Sequence, residues 1–268
     1  MKKENLAAPF QYAEANRQMW NQTADVHAKA KLEGLLESVK SPNFTTFDEV
    51  EKTIFGKIGL KDKAVIQLSC NNARELISCK KAGAGRCVGV DISEKFLEQG
   101  KLLAQAGNIE IELVRSSVYD LSHDYDNCFD IVYVTIGALG WLQDIDAYFK
   151  LVNRLLKPGG QLFIYEMHPM LDMFDSETGL EIKHSYFRTE PYVVDEAPDY
   201  FDPSTVVTGT SYWFHHTLSD ILGGCLENGL SLTHFAEYDH DIGMVFKAFE
   251  SFEKKPALSY SLVAQKQQ

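Results

Sequence analysis

The turn Ser69-Cys70-Asn71-Asn72-Ala73 and the carboxylate of Asp91, about 20 residues further on, have the types and spacing that could hold a nucleoside. A turn leaving a parallel strand meets its ligand through the backbone, so it needs small residues or residues that tolerate a positive φ. This turn has no glycine, but Ser69 and Ala73 are compact, and asparagine is the non-glycine residue that best accepts a left-handed conformation. Asp91 ends the next apolar run, where a carboxylate can accept hydrogen bonds from both hydroxyls of a ribose. Its plainer role would be that of an acidic residue at a helix entry, just before Ser93. The similar-looking Gly83-Ala84-Gly85 is a helix stop and turn, because it precedes a strand and has Val88 where a third glycine should fall.

Two places offer a general base. His168, in Glu166-Met167-His168-Pro169, follows an apolar run and is expected at the edge where strands end; a hydrogen-bonded loop histidine is the plain alternative. In Trp213-Phe214-His215-His216, strand alternation sends the two histidines to opposite faces, and His216 is the candidate. Adjacent histidines diverge and Asp239, His240 and Asp241 add no spaced ligand set, so no metal site is expected. Trp141, Tyr186, Phe187, Tyr192, Tyr200, Phe201 and Trp213 could wall an apolar substrate pocket, with Trp141 and Trp213 the substrate-binding candidates, or could be core that pins a loop.

These residues need a frame that brings strand ends together. Short apolar runs alternate with amphipathic stretches: strands at Ala64–Leu68, Cys87–Asp91, Ile109–Arg115, Phe129–Thr135 and Gln161–Glu166, with helices near Arg74–Ala82, Glu94–Ala106 and Asp146–Leu156. That rhythm is the mark of parallel strands joined by crossover helices. Ser93 caps the second helix, Gly107 stops it, and Lys157-Pro158-Gly159-Gly160 predicts a tight turn. Between Pro169 and Ser211 the periodicity dissolves into aromatic, acidic and proline residues, which predicts an inserted loop or lid in place of a further αβ unit. A helix at Leu218–Asn228, stopped by Gly229, and strands at Ser231–Tyr238 and Tyr260–Ala264 follow. Before all this, Met1 to about Val50 has helical spacing around Trp20 and breaks at Ser41-Pro42-Asn43.

With 268 residues, 45% of them apolar, the chain can fill one large α/β core. The formal net charge of −12 with no basic cluster argues against a nucleic-acid partner and for a small-molecule one. Apolar runs such as Phe129 to Ile136 are far shorter than the roughly 20 residues of a membrane span, and the amino terminus is too polar for a secretory signal, so a cytoplasmic protein without a membrane partner is expected. Five scattered cysteines, none in C-x-x-C, fit buried free thiols.

The segments VIQLSCNNARE, VGVDIS, FDIVYVTIGALGWL and LLKPGGQLFIYE, in that order and spacing, resemble the class I S-adenosylmethionine-dependent methyltransferases of the small-molecule type. The resemblance covers about Lys61 to Glu166 and continues more loosely to the end. It implies a single α/β domain over 1–268: a doubly wound, mostly parallel seven-stranded Rossmann-like sheet, with an N-terminal helical extension (1–60), a cofactor-binding core (61–168), a lid-like insertion after the fifth strand (169–212) and a C-terminal part of the sheet (213–268). It further implies S-adenosylmethionine as cofactor and methyl transfer to a nitrogen or oxygen of a small molecule. Ser69, Asn71 and Ala73 take the three positions where the family usually has glycine, flanked by Cys70, with Gln67 where an acidic residue is common. Asp91 matches the ribose position, Ile92 and Val118 would flank the adenine, and Ser117 stands where an aspartate often meets the adenine amino group. Thr135, Ile136 and Gly137 would line the methionine part, and Trp20 and Asn21 resemble a tryptophan-bearing helix that closes over the cofactor.

An alanine forced to positive φ and one lost neutral hydrogen bond cost about 1 kcal/mol each, a weakening that leaves a micromolar site usable. The rival expectation is a non-catalytic binding or regulatory protein on the same fold. A nicotinamide-dependent oxidoreductase would fit the αβ rhythm but lacks the glycine fingerprint.

Overall fold

The computed structural model describes residues 9–176, 179–199, 202, 204–243 and 245–267. The chain begins with helix α1 (Pro9–His27), which passes through a π-helical turn (Ala28–Leu32) into the short α2 (Glu33–Ser38). Helix α3 (Glu49–Ile58) follows; Asp48 and Glu51 form a reciprocal capping box at its start, satisfying donors that a helix end leaves open.

The αβ rhythm then appears as read: β1 (Val65–Leu68), α4 (Arg74–Lys81), β2 (Cys87–Asp91), α5 (Glu94–Ala106), β3 (Glu112–Arg115), β4 (Phe129–Val134), α6 (Ile145–Leu155) and β5 (Leu156–Met167). The Ser93 hydroxyl accepts from the Phe96 N–H, so it caps α5 as its type suggests. β3 is shorter than expected because Asn108, at φ 51°, turns the chain and Ile109 is still tied by its N–H to the Ala104 carbonyl. Lys157 to Gly160 is no separate turn: it lies inside β5 as an irregularity in the pairing with β4, where Phe129 faces Leu156 and Ile131 faces Gln161.

The insertion contains no further αβ unit but is more regular than a loop. A 3₁₀ turn (Pro169–Met173) leads to β6 (Phe174–Asp175), paired with β7 (Gly179–Ile182), and then to the antiparallel hairpin of β8 (Tyr192–Pro198) and β9 (Val206–Trp213). Helix α7 (Leu218–Glu227), β10 (Leu230–Tyr238) and β11 (Ser259–Lys266) complete the described chain.

The main sheet has seven strands in the order β10-β11-β5-β4-β1-β2-β3. β3, β2, β1, β4 and β5 run parallel, while β11 pairs antiparallel with both β5 and β10. Alternate residues face opposite layers: Ile66, Leu68, Val132 and Val134 join Tyr148, Phe149 and Val152 of α6, whereas Val65, Ile131 and Tyr133 join Phe55 of α3 and Leu76 of α4. Strand order reverses between β1 and β4, so a crevice opens beyond their carboxyl ends.

Candidate active site

The turn after β1 takes three left-handed steps, at Ser69 (φ 56°), Asn71 (φ 51°) and Ala73 (φ 58°), the three positions where glycine was the expected type. The turn is tied at each end, because the Cys70 N–H donates to the Val90 carbonyl (2.9 Å) and the Ala73 N–H to the Cys70 carbonyl (2.8 Å). Its middle is held by Asp91, whose carboxylate accepts from the backbone N–H of Asn71 (2.7 Å) and of Ser93 (2.8 Å). Gly89 lets this packing close up: a Cβ there would stand 2.8 Å from Cys70 Sγ and 2.9 Å from Leu113 Cδ2. Burial pushes the Asp91 carboxyl up to about 6, against the pull of its backbone donors. Each carboxylate oxygen retains a lone pair for a further donor.

Asp91 and the turn border a cavity of about 810 Å³, within the range of small-molecule sites. Ser69, Cys70, Asn71, Ile92, Ser117 and Val118 line it from one side, and Thr135, Ile136 and Gly137 from the end of β4. Trp20, Trp141 and Trp213 also line it, joined edge to face: the Trp20–Trp141 and Trp141–Trp213 ring centroids are each 5.1 Å apart. Gly140 is what admits Trp213, since a Cβ there would lie 2.1 Å from the indole.

Three expected cofactor contacts lie behind this surface. Gln67 is fully buried among the strands and donates from Nε2 to Thr135 Oγ1 (3.3 Å); Ala73 is fully buried too, and contributes its backbone turn. Asn21 Oδ1 accepts from the Ser93 hydroxyl (2.7 Å), so Asn21 docks α1 onto the entry of α5 and does not face the cavity. Ser117 faces it, and its hydroxyl accepts from the Tyr119 N–H (3.3 Å).

Neither proposed base lines the cavity, and geometry corrects both expectations. His168 is 1% exposed, with Nε2 against Glu237 (3.0 Å) and Nδ1 accepting from the Met170 N–H (3.1 Å), so both ring nitrogens are engaged. His216 is bonded through Nε2 to the Leu142 carbonyl (2.7 Å). Burial lowers the pKa of both rings. Placement after an apolar run puts His168 at the end of β5, and alternation gives His216 a face, but neither reveals which way the ring turns. Of the other aromatics, Tyr192 lines the cavity, Tyr186 accepts from the Leu218 N–H through its hydroxyl (2.9 Å), Phe187 is exposed, and Tyr200 and Phe201 lie outside the described residues.

Residues not singled out beforehand complete the walls. Glu166, at the end of β5, is buried, and its carboxylate accepts from the backbone N–H of Gly137 (2.6 Å), Ala138 (2.9 Å), Leu139 (3.3 Å) and Met167 (2.8 Å). It fixes the segment after β4 that lines the cavity, and burial raises its carboxyl to about 7. An acid closing the apolar run Leu162 to Tyr165 was a visible signal for a buried polar clamp. Asp172 and Asp241 also line the cavity, and the Asp241 oxygens accept from Gly243 N–H (3.0 Å) and Phe246 N–H (3.1 Å), shaping the loop between β10 and β11.

The cover over the cavity is a joint between α1 and the insertion. Asn16 pairs with the backbone of Tyr212 both ways, donating to its carbonyl (3.0 Å) and accepting from its N–H (2.8 Å), and Gln22 donates to the Thr208 carbonyl (2.7 Å). Further along, the buried His27 ring meets the Asp199 carboxylate at 3.0 Å.

Comparison with known proteins agrees with this geometry. The family model described as "Methyltransferase domain" matches residues 66–164. The chain is 26% identical over 234 residues to the uncharacterized methyltransferase YbaJ of Bacillus subtilis (strain 168), covering 83% of this chain and 89% of that one. It is 39% identical over 104 residues to a demethylmenaquinone methyltransferase of Staphylococcus saprophyticus, a match to 38% of this chain that spans less than half, 43%, of that protein. Among solved structures, the geranyl diphosphate C-methyltransferase from Streptomyces coelicolor A3(2), in complex with S-adenosyl-L-homocysteine, superposes with a TM-score of 0.62 at 12% identity, covering 98% of this chain and all of that one (100%). Residues 66–164 thus match a methyltransferase domain, and the fold that holds them is shared with solved S-adenosylmethionine-dependent methyltransferases.

Proposed function

We propose that the chain transfers a methyl group from S-adenosylmethionine to a nitrogen or oxygen atom of a small-molecule acceptor. The observation that carries this reading is the glycine-free turn, whose backbone already runs left-handed at Ser69, Asn71 and Ala73 and is clasped by Asp91 at the wall of the cavity. The strain of those three steps therefore falls on folding and not on cofactor binding. Asp91 would take the ribose hydroxyls, Ile92 and Val118 would sandwich the adenine with Ser117 at its edge, and Thr135, Ile136 and Gly137 would border the methionine part under Trp20.

The cofactor supplies the methyl group and a good leaving group when bound, which leaves the protein to align an acceptor and exclude water. Alignment alone can supply roughly 7 to 11 kcal/mol. The tryptophans and the joint between α1 and β9 roof the cavity, and the Glu166 clamp fixes its floor at Gly137 and Ala138. His168 and His216 take no part in this arrangement as proton abstractors, since both are engaged elsewhere. No observation favours a non-catalytic role for the site.

Isothermal titration with S-adenosylmethionine and S-adenosylhomocysteine tests the cofactor half, with micromolar binding expected and absence of heat at millimolar ligand overturning it. Label transfer to a metabolite panel tests the acceptor half. Label found on carbon alone would contradict nitrogen or oxygen as the accepting atom.

A further inference from the structure

One part of the cavity wall has a composition that selects the acceptor. Trp141 and Trp213 stand perpendicular there, and the Trp213 indole N–H donates to both oxygens of Asp172 at 3.2 Å. His215 Nδ1 lies 2.9 Å from Asp172 Oδ2, while its Nε2 is buried without a partner among the described residues. A buried lone pair costs less to leave unmet than a buried N–H, so the proton sits on Nδ1 and is donated to Asp172. The Asp172 carboxylate is thus oriented by two N–H donors and still lines the cavity with lone pairs to spare.

The charges around it are one-sided. Among the described residues, no lysine or arginine lies within ion-pair distance of Asp172. The lysine and arginine that line the cavity, Lys31 and Arg74, are grouped elsewhere, in the π-helical turn after α1 and at the start of α4. Arg188 stacks on Tyr192 (4.5 Å) but donates to the carbonyls of Glu190 and Pro191, outside the cavity lining. A carboxylate or phosphate on the acceptor would meet a fixed negative charge here with nothing to offset it. A cation would meet a carboxylate and two indole faces or edges, the surroundings that favour amines and ammonium groups.

We propose that the acceptor is an apolar amine whose nitrogen is seated between Asp172 and the Trp141–Trp213 pair. This rests on the methyltransferase reading above and narrows it. In the step, the lone pair of the neutral amine forms the nitrogen–carbon bond to the methyl group as the sulfur–carbon bond breaks and its electron pair returns to sulfur. Positive charge passes from sulfur to nitrogen, and the ammonium proton then leaves to water. Asp172 and the indoles stabilise charge at the nitrogen, where it arrives during the reaction, so they act on the transition state more than on the free amine. An oxygen acceptor would first have to lose its proton and would end neutral, gaining nothing from this wall.

The test uses the full chain, radiolabelled S-adenosylmethionine and a matched panel: 2-phenylethylamine, tryptamine and cyclic aliphatic amines against 3-phenylpropionate, indole-3-propionate and 4-ethylphenol. Label is expected in the amines alone. Asp172→Asn should lower kcat/KM for the accepted amine about tenfold to a hundredfold, mainly through kcat, with the Kd for S-adenosylhomocysteine within about twofold. Trp141→Leu, which leaves the bonds of Asp172 untouched, should cost about threefold to tenfold. Label in the acids or the phenol, no label in any amine while the cofactor is bound, or an Asp172→Asn enzyme that folds and works as before would each overturn the amine assignment and leave the methyltransferase reading standing. Failure to bind S-adenosylhomocysteine at all would overturn both.

Discussion

Ser69 sits at φ 56°, a conformation that costs a residue with a Cβ more than it costs glycine, so the residue holds strain that glycine would not. Ser69→Gly is expected to stabilise the fold by about 1 kcal/mol in urea unfolding, and Ala73→Gly by less, because it also removes a fully buried methyl worth about 0.8 kcal/mol. Destabilisation by Ser69→Gly would show that the left-handed step is not strained. Asp91 offers a second test. Its carboxyl is raised to about 6, so it takes up a proton as pH falls through that value and loses acceptor capacity for a ribose. The Kd for S-adenosylhomocysteine should therefore rise as pH drops from about 8 to about 5, whereas Asp91→Asn should bind weakly with a flat profile; parallel profiles for the two proteins would remove Asp91 from the ribose contact. At this scale the turn and Asp91 were legible because backbone demands and strand ends leave local traces. The rings of His168 and His216 were not: their partners Glu237 and Leu142 lie 69 and 74 residues away, and alternation fixes only a face.

Elements show the same divide. β4 reads directly from Phe129–Val134, since a strand buried on both faces has to be mainly apolar and only the partly buried Asp130 near its start breaks the run, and α5 carries both its cap and its stop. The β8–β9 hairpin was hidden because its support is remote: Asn16 grips the Tyr212 backbone across 196 residues, and nothing in the local run of acids and aromatics records that. Removing that grip should loosen the element before it unfolds the molecule. Asn16→Ala is expected to cost about 1 to 3 kcal/mol and to speed amide exchange over 206–213 while the strands of the main sheet stay protected. Uniform exchange changes throughout the chain would contradict a local joint.

For the molecule as a whole, carboxyls and histidines shifted by burial set the pH response. Burial raises Glu51 and Glu166 to about 7 and Asp91 to about 6. Through these carboxyls the folded chain holds more protons than the unfolded one between about pH 4 and pH 7, which lowers stability as pH rises. His27, His168 and His216, their pKa lowered by burial, act oppositely below about 6.5, so the net fall across this window lies in its upper part. The net charge of −12 pushes in the same direction, because each further deprotonation adds self-repulsion. Below it, Glu14, held at about 2 chiefly by its hydrogen bond from Arg17, has the opposite sign and is exposed enough to count for little. Thermal melts should thus decline from about pH 6.5 towards pH 8, with Glu166→Gln flattening the decline; a melting temperature that climbs steadily over that range would refute it. No helix among the described residues is long and apolar enough to cross a membrane.

The three tryptophans that the chain possesses, Trp20, Trp141 and Trp213, all border one cavity in edge-to-face contact. Its ultraviolet emission therefore originates almost wholly at the ligand's surface, with excitation able to migrate from one indole to the next. Occupancy can be followed by quenching of that native fluorescence, in an unlabelled protein and on the stopped-flow timescale, with filling and emptying of the chamber recorded by the chromophores that enclose it.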